Sequence, residues 1–185
     1  MSDKERETTE PTVNRPGTDV DIESATEKVW SLIKDIHIAM LTTADSSGAL
    51  YSRPMATQQT SFAGDLWFLT RRHSDKVEEI RHDAHVNLTY TDVKNSSFVS
   101  VSGRAEIGKD RAKIEELWNP MYKAWFPEGV NDPEIRVLQV RVHGAEYWDA
   151  PSSAVVRYFR ILKRAATHGE SKVGEHEKLT VNNDA

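Results

Sequence analysis

The constraint that most limits what this chain can fold into is an alternation of apolar and polar residues with a period of two, interrupted roughly every ten residues by turn formers. Val86, Leu88 and Tyr90 alternate with His85, Asn87 and Thr89, which predicts a strand over residues 84–90 with one face on a core and the other wetter. Further strands are predicted over residues 38–43, 49–59, 66–70, 98–107 and 135–142, and Ala145, Tyr147 and Trp148 follow in residues 143–149. Between them stand Ala44-Asp45-Ser46-Ser47-Gly48, Phe62-Ala63-Gly64-Asp65 and Asp92-Val93-Lys94-Asn95, short enough for hairpin turns. Pro54 interrupts the second strand, so it marks an edge, a bulge or a place where the backbone faces a ligand. Helices are the minority. Ile22, Ala25, Val29, Leu32, Ile33 and Ile36 recur at three- and four-residue steps and predict an amphipathic helix over residues 21–36. Shorter helical patterns follow Ser74 (Val77, Ile80), Asp110 (Ile114, Leu117, Trp118) and Pro151 (Val155, Val156, Tyr158, Phe159, Leu162). Six or seven strands with hairpin turns and about four flanking helices favour a mainly β fold, an antiparallel barrel or sandwich. There is no βαβαβ alternation and no GxGxxG, which argues against a doubly wound nucleotide fold.

At 185 residues the chain is long enough for one domain with a sizeable core, expected over residues 20–164. Residues 1–19 read as a mobile arm and residues 165–185 as a polar tail, in which residues 177–181 form either a short edge strand or no regular structure. The net charge of −5 gives no general attraction to nucleic acid or to an anionic membrane, and neither is expected as a partner. Without cysteine there is no disulfide, zinc–thiolate site or thiol chemistry. No apolar run reaches the length of a membrane span, and no signal-peptide segment opens the chain, so a cytoplasmic protein is expected. His82 and His85 straddle a helix–strand junction without a ligand cluster, so no metal site is expected. Serine, histidine and aspartate occur in no nucleophile-elbow context, and Glu115 and Glu116 belong to a charged helix face.

One stretch points to ligand chemistry. The apolar run Leu66-Trp67-Phe68-Leu69 turns polar and basic at Thr70-Arg71-Arg72 and reaches Ser74 and Lys76 as a helix begins. A helix start offers unpaired N–H groups and partial positive charge, and hydroxyl and ammonium groups beside it add charge-assisted hydrogen bonds, so the stretch suits an anion. The same residues also suit an ordinary N-cap with solvated basic side chains. Trp67 alternates away from Phe68 and reads as core or interface packing, and Trp118, Trp125 and Phe126 read first as packing. A lid is the second reading of residues 125–129.

Read in order, the motifs are Ala39-Met40-Leu41-Thr42-Thr43, Ser52-Arg53-Pro54-Met55 and Trp67-Phe68-Leu69-Thr70. They continue through Ser74-x-Lys76-x-x-Glu79-Ile80, Ser102-Gly103-Arg104-Ala105, Trp125-Phe126-Pro127-Glu128-Gly129 and Ala145-Glu146-Tyr147-Trp148-Asp149. This series resembles the pyridoxamine 5′-phosphate oxidase-like split-barrel flavoproteins, most closely their general stress protein 26 branch, over residues 21–164. The resemblance implies a six-stranded antiparallel split barrel that forms a homodimer with FMN between protomers. By position it implies that Arg53 pairs with the FMN phosphate and that Pro54 and Met55 lie along the flavin. It further implies that Phe68, Leu69 and Thr70 flank the ring and ribityl chain, that Ser74 and Lys76 close on the phosphate, and that Trp148 reaches the flavin of the partner protomer. A dianionic phosphate needs the cations and donors that Arg53, Ser74, Lys76 and a helix start supply. The vitamer oxidases of that family also bind a phosphorylated substrate, and there the match fails: Gln58 replaces an expected lysine, and Ala154 and Val156 replace an Arg-x-His signature. Pyridoxamine-phosphate oxidation is therefore not expected.

The implied function is an FMN-dependent oxidoreductase whose small-molecule substrate the sequence does not specify, or a flavin-binding carrier or stress sensor without turnover. A deazaflavin or haem in the same barrel is the third alternative, and haem is disfavoured because no histidine has an axial-ligand context. No side chain stands out as acid or base, so no catalytic residue is assigned.

Overall fold

The computed structural model describes residues 22–57, 64–149 and 175–180. The arm over residues 1–19, the helix from Pro151, most of the tail, and Gln58, Ala154 and Val156 lie outside the described residues. Among the described residues no helix is long and apolar enough to cross a membrane.

Helix α1 (Ile22–Ile33) leads into strands β1 (Ile38–Ala44), β2 (Leu50–Ala56) and β3 (Asp65–Arg71). Helix α2 (Asp75–His82), strands β4 (His85–Asp92) and β5 (Ser97–Gly108) and helix α3 (Arg111–Leu117) follow. Two 3-10 turns (Pro120–Ala124 and Gly129–Asn131), strand β6 (Ile135–Asp149) and strand β7 (Glu175–Thr180) complete the order. The two segments expected before and after residue 142 are therefore one strand, and the edge-strand alternative for the tail is the one realised.

The order across the sheet is β2-β1-β4-β5-β6-β3, with β7 added beside β6, and every pairing is antiparallel. Strand β6 holds β3 along Ile135–Arg141 and β7 along Gly144–Asp149, so two strands share one of its edges. The sheet curls into a split barrel. Its terminal strands β2 and β3 approach each other without a shared hydrogen-bond ladder among the described residues. Pro54 thus lies on an edge strand, where its missing N–H costs no ladder bond.

Alternation builds the core. Val86, Leu88 and Tyr90 are buried while His85 faces out, and Ala39 and Leu41 do the same on β1. Val29 and Ile33 of α1 close this core from one side, with Trp30, Leu32 and Ile36 partly buried against it. A second, smaller cluster forms on the opposite face of β3 and β6. There Ile114, Leu117 and Phe126 pack on Ile135 and Val137, joined by Trp67, Leu69, Trp118 and Tyr122. Trp67 is thus a packing residue, with the Lys113 ammonium 4.6 Å from its ring centre.

The β5–β6 pairing, the longest in the sheet, shifts register between Ser102 and Gly103, leaving His143 as the extra residue of a bulge. Gly103 sits so close to β6 that a Cβ there would collide with the Arg141 carbonyl oxygen and lie 2.8 Å from Val140 Cγ1. Neither the backbone nor a β-branched core side chain can yield cheaply. Gly103→Ala is therefore expected to destabilise the fold by about 1–3 kcal/mol in urea unfolding. Gly108→Ala, which meets nothing within 4 Å, is expected to leave the midpoint nearly unchanged.

Candidate functional site

The β1–β2 hairpin presents the first site residue. Its turn is held by the Asp45 carboxylate, which accepts from the backbone N–H groups of Ser47 and Ala49, while Gly48 takes the positive φ that the turn requires. The register sets Arg53 opposite Leu41, whose side chain points into the core, so the guanidinium projects inward beside Thr43. Helix α2 meets it from the other side. Val77 and Ile80 anchor that helix in the interior, and Glu79 between them reaches Arg53. Arg53 Nη1 donates to Glu79 Oε2 at 2.7 Å and Nη2 to Glu79 Oε1 at 3.0 Å. Nη1 also donates to the Thr43 hydroxyl at 2.6 Å, and that hydroxyl donates to Glu79. The pair is largely buried, with 22% and 10% of the two side chains exposed. Hydrogen bonds from Arg53 hold the Glu79 carboxyl below the usual carboxylate range, helped by Thr43 and opposed by burial.

One turn earlier on α2, Lys76 Nζ donates to Thr70 Oγ1 at 3.2 Å. Burial lowers the pKa of that ammonium, the neighbouring Arg53 lowers it further, and Glu79 and Asp75 oppose both. Ser74 occupies the N-cap position of α2, but its hydroxyl makes no capping bond. It donates instead to the Arg71 carbonyl at 3.0 Å and lies 3.4 Å from Thr70 Oγ1. The ordinary capping serine that the sequence allowed is not what forms. Three polar side chains, Thr70, Ser74 and Lys76, converge at the helix start.

They converge at one end of a groove of about 370 Å³, within the range of small-molecule sites. The groove lies in the split of the barrel. Pro54, Met55 and Ala56 of β2 and Ile38 of β1 line one side; Leu69, Thr70 and Arg71 of β3 line the other, with Ser74 and Lys76 at the helix start. Tyr122, Trp125 and Phe126 add an aromatic wall. Tyr122 and Trp125 stand 6.3 Å apart between ring centres, and Arg71 donates to the Trp125 carbonyl, pinning the loop to β3. The β3–α2 side thus carries cations and donors, with Lys76 and Arg71 beside Thr70 and Ser74, and the other lining residues are apolar or aromatic. Such a groove fits an amphipathic ligand with a flat body and an anionic terminus.

Six of the nine residues singled out in the sequence line this groove: Pro54, Met55, Leu69, Thr70, Ser74 and Lys76. Arg53 is not part of its wall but neighbours Lys76 closely enough for its charge to bear on that ammonium. Phe68 does not reach it: on the inner face of β3 it is 1% exposed and belongs to the main core. Trp148 is exposed near the end of β6, paired with Phe98, and does not line this groove. Arg71, Tyr122 and Trp125 also line the groove; the sequence places Arg71 in the basic stretch that suits an anion and Trp125 in a packing or lid segment, and gives Tyr122 no role. Their aromatic and basic signals are the same as those of packing and solvated residues.

Comparison with known proteins places these features in a family. The family model for pyridoxamine 5′-phosphate oxidase-like proteins matches residues 24–172. Protein bli-3 of Neurospora crassa is 33% identical over 140 residues, covering 70% of this chain and 67% of that protein. A general stress FMN/FAD-binding protein of Xanthomonas citri is 28% identical with a TM-score of 0.61, covering 71% of this chain and 92% of that one. General stress protein 26 of Bacillus anthracis shares the fold at 21% identity and a TM-score of 0.59, over 66% of this chain and 92% of that one.

The Arg53–Glu79 pair gives a stability prediction independent of any ligand. Arg53→Ala leaves a nearly buried carboxylate without its partner and is expected to cost roughly 3 kcal/mol. The pH dependence follows from the sign of the shift. A carboxyl with a depressed folded pKa contributes its full stabilisation above the usual value near 4.5 and loses it as pH falls through the lower folded value. The stability gap between wild type and Glu79→Gln in urea titrations is thus expected to be level between about pH 5 and 7 and to narrow in more acidic buffer. A gap that widens on acidification would contradict the assignment.

Proposed function

The chain belongs to the pyridoxamine 5′-phosphate oxidase-like family, and from that premise we propose that its groove binds FMN, with the phosphate at the Thr70–Ser74–Lys76 end. The observation that carries this reading is the convergence of those three side chains at a helix start in a groove whose other walls are largely apolar and aromatic. The chemistry of the residues fits the group. Lys76 supplies charge-assisted donors to a dianion, Ser74 adds a hydroxyl that can turn from the Arg71 carbonyl to it, and Arg53 adds charge nearby. Pro54, Met55, Ala56 and Leu69 offer apolar contact and strand backbone to a ring, and the Tyr122–Trp125 wall offers an aromatic face. When bound, FMN supplies one- and two-electron redox chemistry. The residues of the chain bind and orient it.

The proposal includes a homodimer with the flavin between protomers, and Trp148 reaching the partner's groove. It is supported by large apolar side chains left open on the sheet, Ile38, Met40, Leu50 and Tyr51 on the β1–β2 hairpin and the Phe98–Trp148 pair. Met40→Glu is expected to shift the protein from dimer to monomer in sedimentation velocity. An unchanged dimer would remove that face from the interface.

We further propose a general stress protein of the flavin type that acts as an FMN-dependent oxidoreductase on a small molecule. The second reading, a flavin carrier or sensor without turnover, is favoured by one feature: among the described residues, no carboxylate or imidazole lines the groove. Anaerobic addition of NAD(P)H separates the two. Loss of flavin absorbance supports a reductase, and unchanged absorbance supports the carrier.

Phosphate recognition is tested by ligand pair. Lys76→Ala is expected to weaken FMN by about 1.5–3 kcal/mol and riboflavin, which lacks the phosphate, hardly at all. Because burial and Arg53 depress the Lys76 pKa, wild-type affinity for FMN is expected to fall at alkaline pH before an ordinary lysine would titrate, and that fall should be absent in Lys76→Ala. Equal losses for FMN and riboflavin would refute the phosphate assignment.

A further inference from the structure

We infer that Glu79 is a positioning residue for the anion-binding end of the groove: it fixes Arg53 so that the Nε–H and Nη2–H edge of the guanidinium is the edge left for a phosphate monoester. The identity of the ligand rests on the flavin reading above; the preset geometry of Arg53 does not.

A guanidinium carries five N–H donors in a rigid plane. Glu79 takes one from each of Nη1 and Nη2, at 2.7 and 3.0 Å, and so fills the end-on fork. The Thr43 hydroxyl also accepts from Nη1, at 2.6 Å. Nε–H and the second Nη2–H remain, parallel on one edge and spaced for two oxygens of a single phosphate. They make no hydrogen bond to any described residue.

The preset is rigid because both acceptors are. Thr43 is 1% exposed on β1, and Glu79 rides on a helix whose Val77 and Ile80 are buried to either side of it. The Arg53 side chain is 22% exposed, so it is not sealed from solvent. Lys76, on the same helix, brings a second cation close to the first. Glu79 therefore offsets part of the charge while holding the geometry. Recognition at this end depends on bidentate fit more than on accumulated positive charge.

Three substitutions in the full chain separate geometry from charge. Glu79→Asp keeps the charge but shortens the reach. Glu79→Gln keeps the length but replaces one acceptor by a donor facing a donor. Thr43→Val removes the other acceptor while preserving a β-branched strand residue. Each is read by FMN and riboflavin titration and by the Arg53 Nε–H signal in nitrogen-15 NMR with added inorganic phosphate. The two Glu79 variants are expected to weaken FMN about tenfold or more, with riboflavin changed less than about twofold, and Thr43→Val to act in the same direction but less. In wild type, phosphate is expected to shift the Arg53 Nε–H signal, and in the variants that response should be lost. Tighter or unchanged FMN binding in Glu79→Gln and Glu79→Asp would overturn the inference, as would parallel losses of FMN and riboflavin. If Glu79→Gln fails to fold, Glu79→Asp and Thr43→Val decide. If wild type binds no FMN, the flavin reading fails, and the phosphate response of the Arg53 signal alone decides this one: present in wild type and lost in the variants upholds it, absent or unchanged overturns it.

Discussion

The architecture depends on the fifteen-residue strand β6, which pairs with β5 along its length on one edge and with β3 and then β7 on the other. A strand that long must bend to follow a curling sheet, and the bulge at Gly103 and His143 supplies the bend. Gly103 is required there because β6 passes too close for a side chain. The curl brings β3 round towards β2 without pairing them, and the unpaired interval becomes the groove. The groove is thus a consequence of incomplete closure. A fully laddered barrel would have filled this space with hydrogen-bonded strand.

The Arg53–Glu79 pair joins two parts of the site that the sheet alone would leave independent. Arg53 belongs to the edge strand β2 and Glu79 to α2, the helix that carries Ser74 at its start and Lys76 in its first turn. Fixing one to the other fixes the distance between the cationic groups and the apolar wall formed by Pro54 and Met55. A buried ion pair is weak evidence for net stability, since desolvation offsets much of the attraction. Its value here is geometric. It sets which N–H groups of Arg53 face outward and which are consumed internally.

Most of the fold was legible because its determinants are local. The alternation of Val86, Leu88 and Tyr90, the stripe of Val29 and Ile33, and the turn at Asp45–Gly48 each encode one element within a few residues. Thr70, Ser74 and Lys76 were legible for the same reason, lying within seven residues of one another. The bonds that complete the site are long-range. Glu79 meets Arg53 across 26 residues, and Arg71 meets the Trp125 carbonyl across 54, and neither spacing leaves a pattern in the chain. Tyr122 and Trp125 carry the same signal as buried aromatics, so only the position of their turn beside β3 makes them groove walls. Phe68 shows the converse. Its neighbours Leu69 and Thr70 line the groove, yet its own side chain is spent on the core.

Whether the split of the barrel holds a flavin by its phosphate is read by phosphorus-31 NMR of FMN with the wild-type protein across neutral and mildly acidic pH. A phosphate enclosed by Lys76, Ser74 and the Arg53 edge is stabilised as a dianion. A separate bound resonance is expected, with a shift that stays at the dianionic position through the pH range in which free FMN protonates. A single resonance that titrates as free FMN does, with protein present in excess, would contradict it.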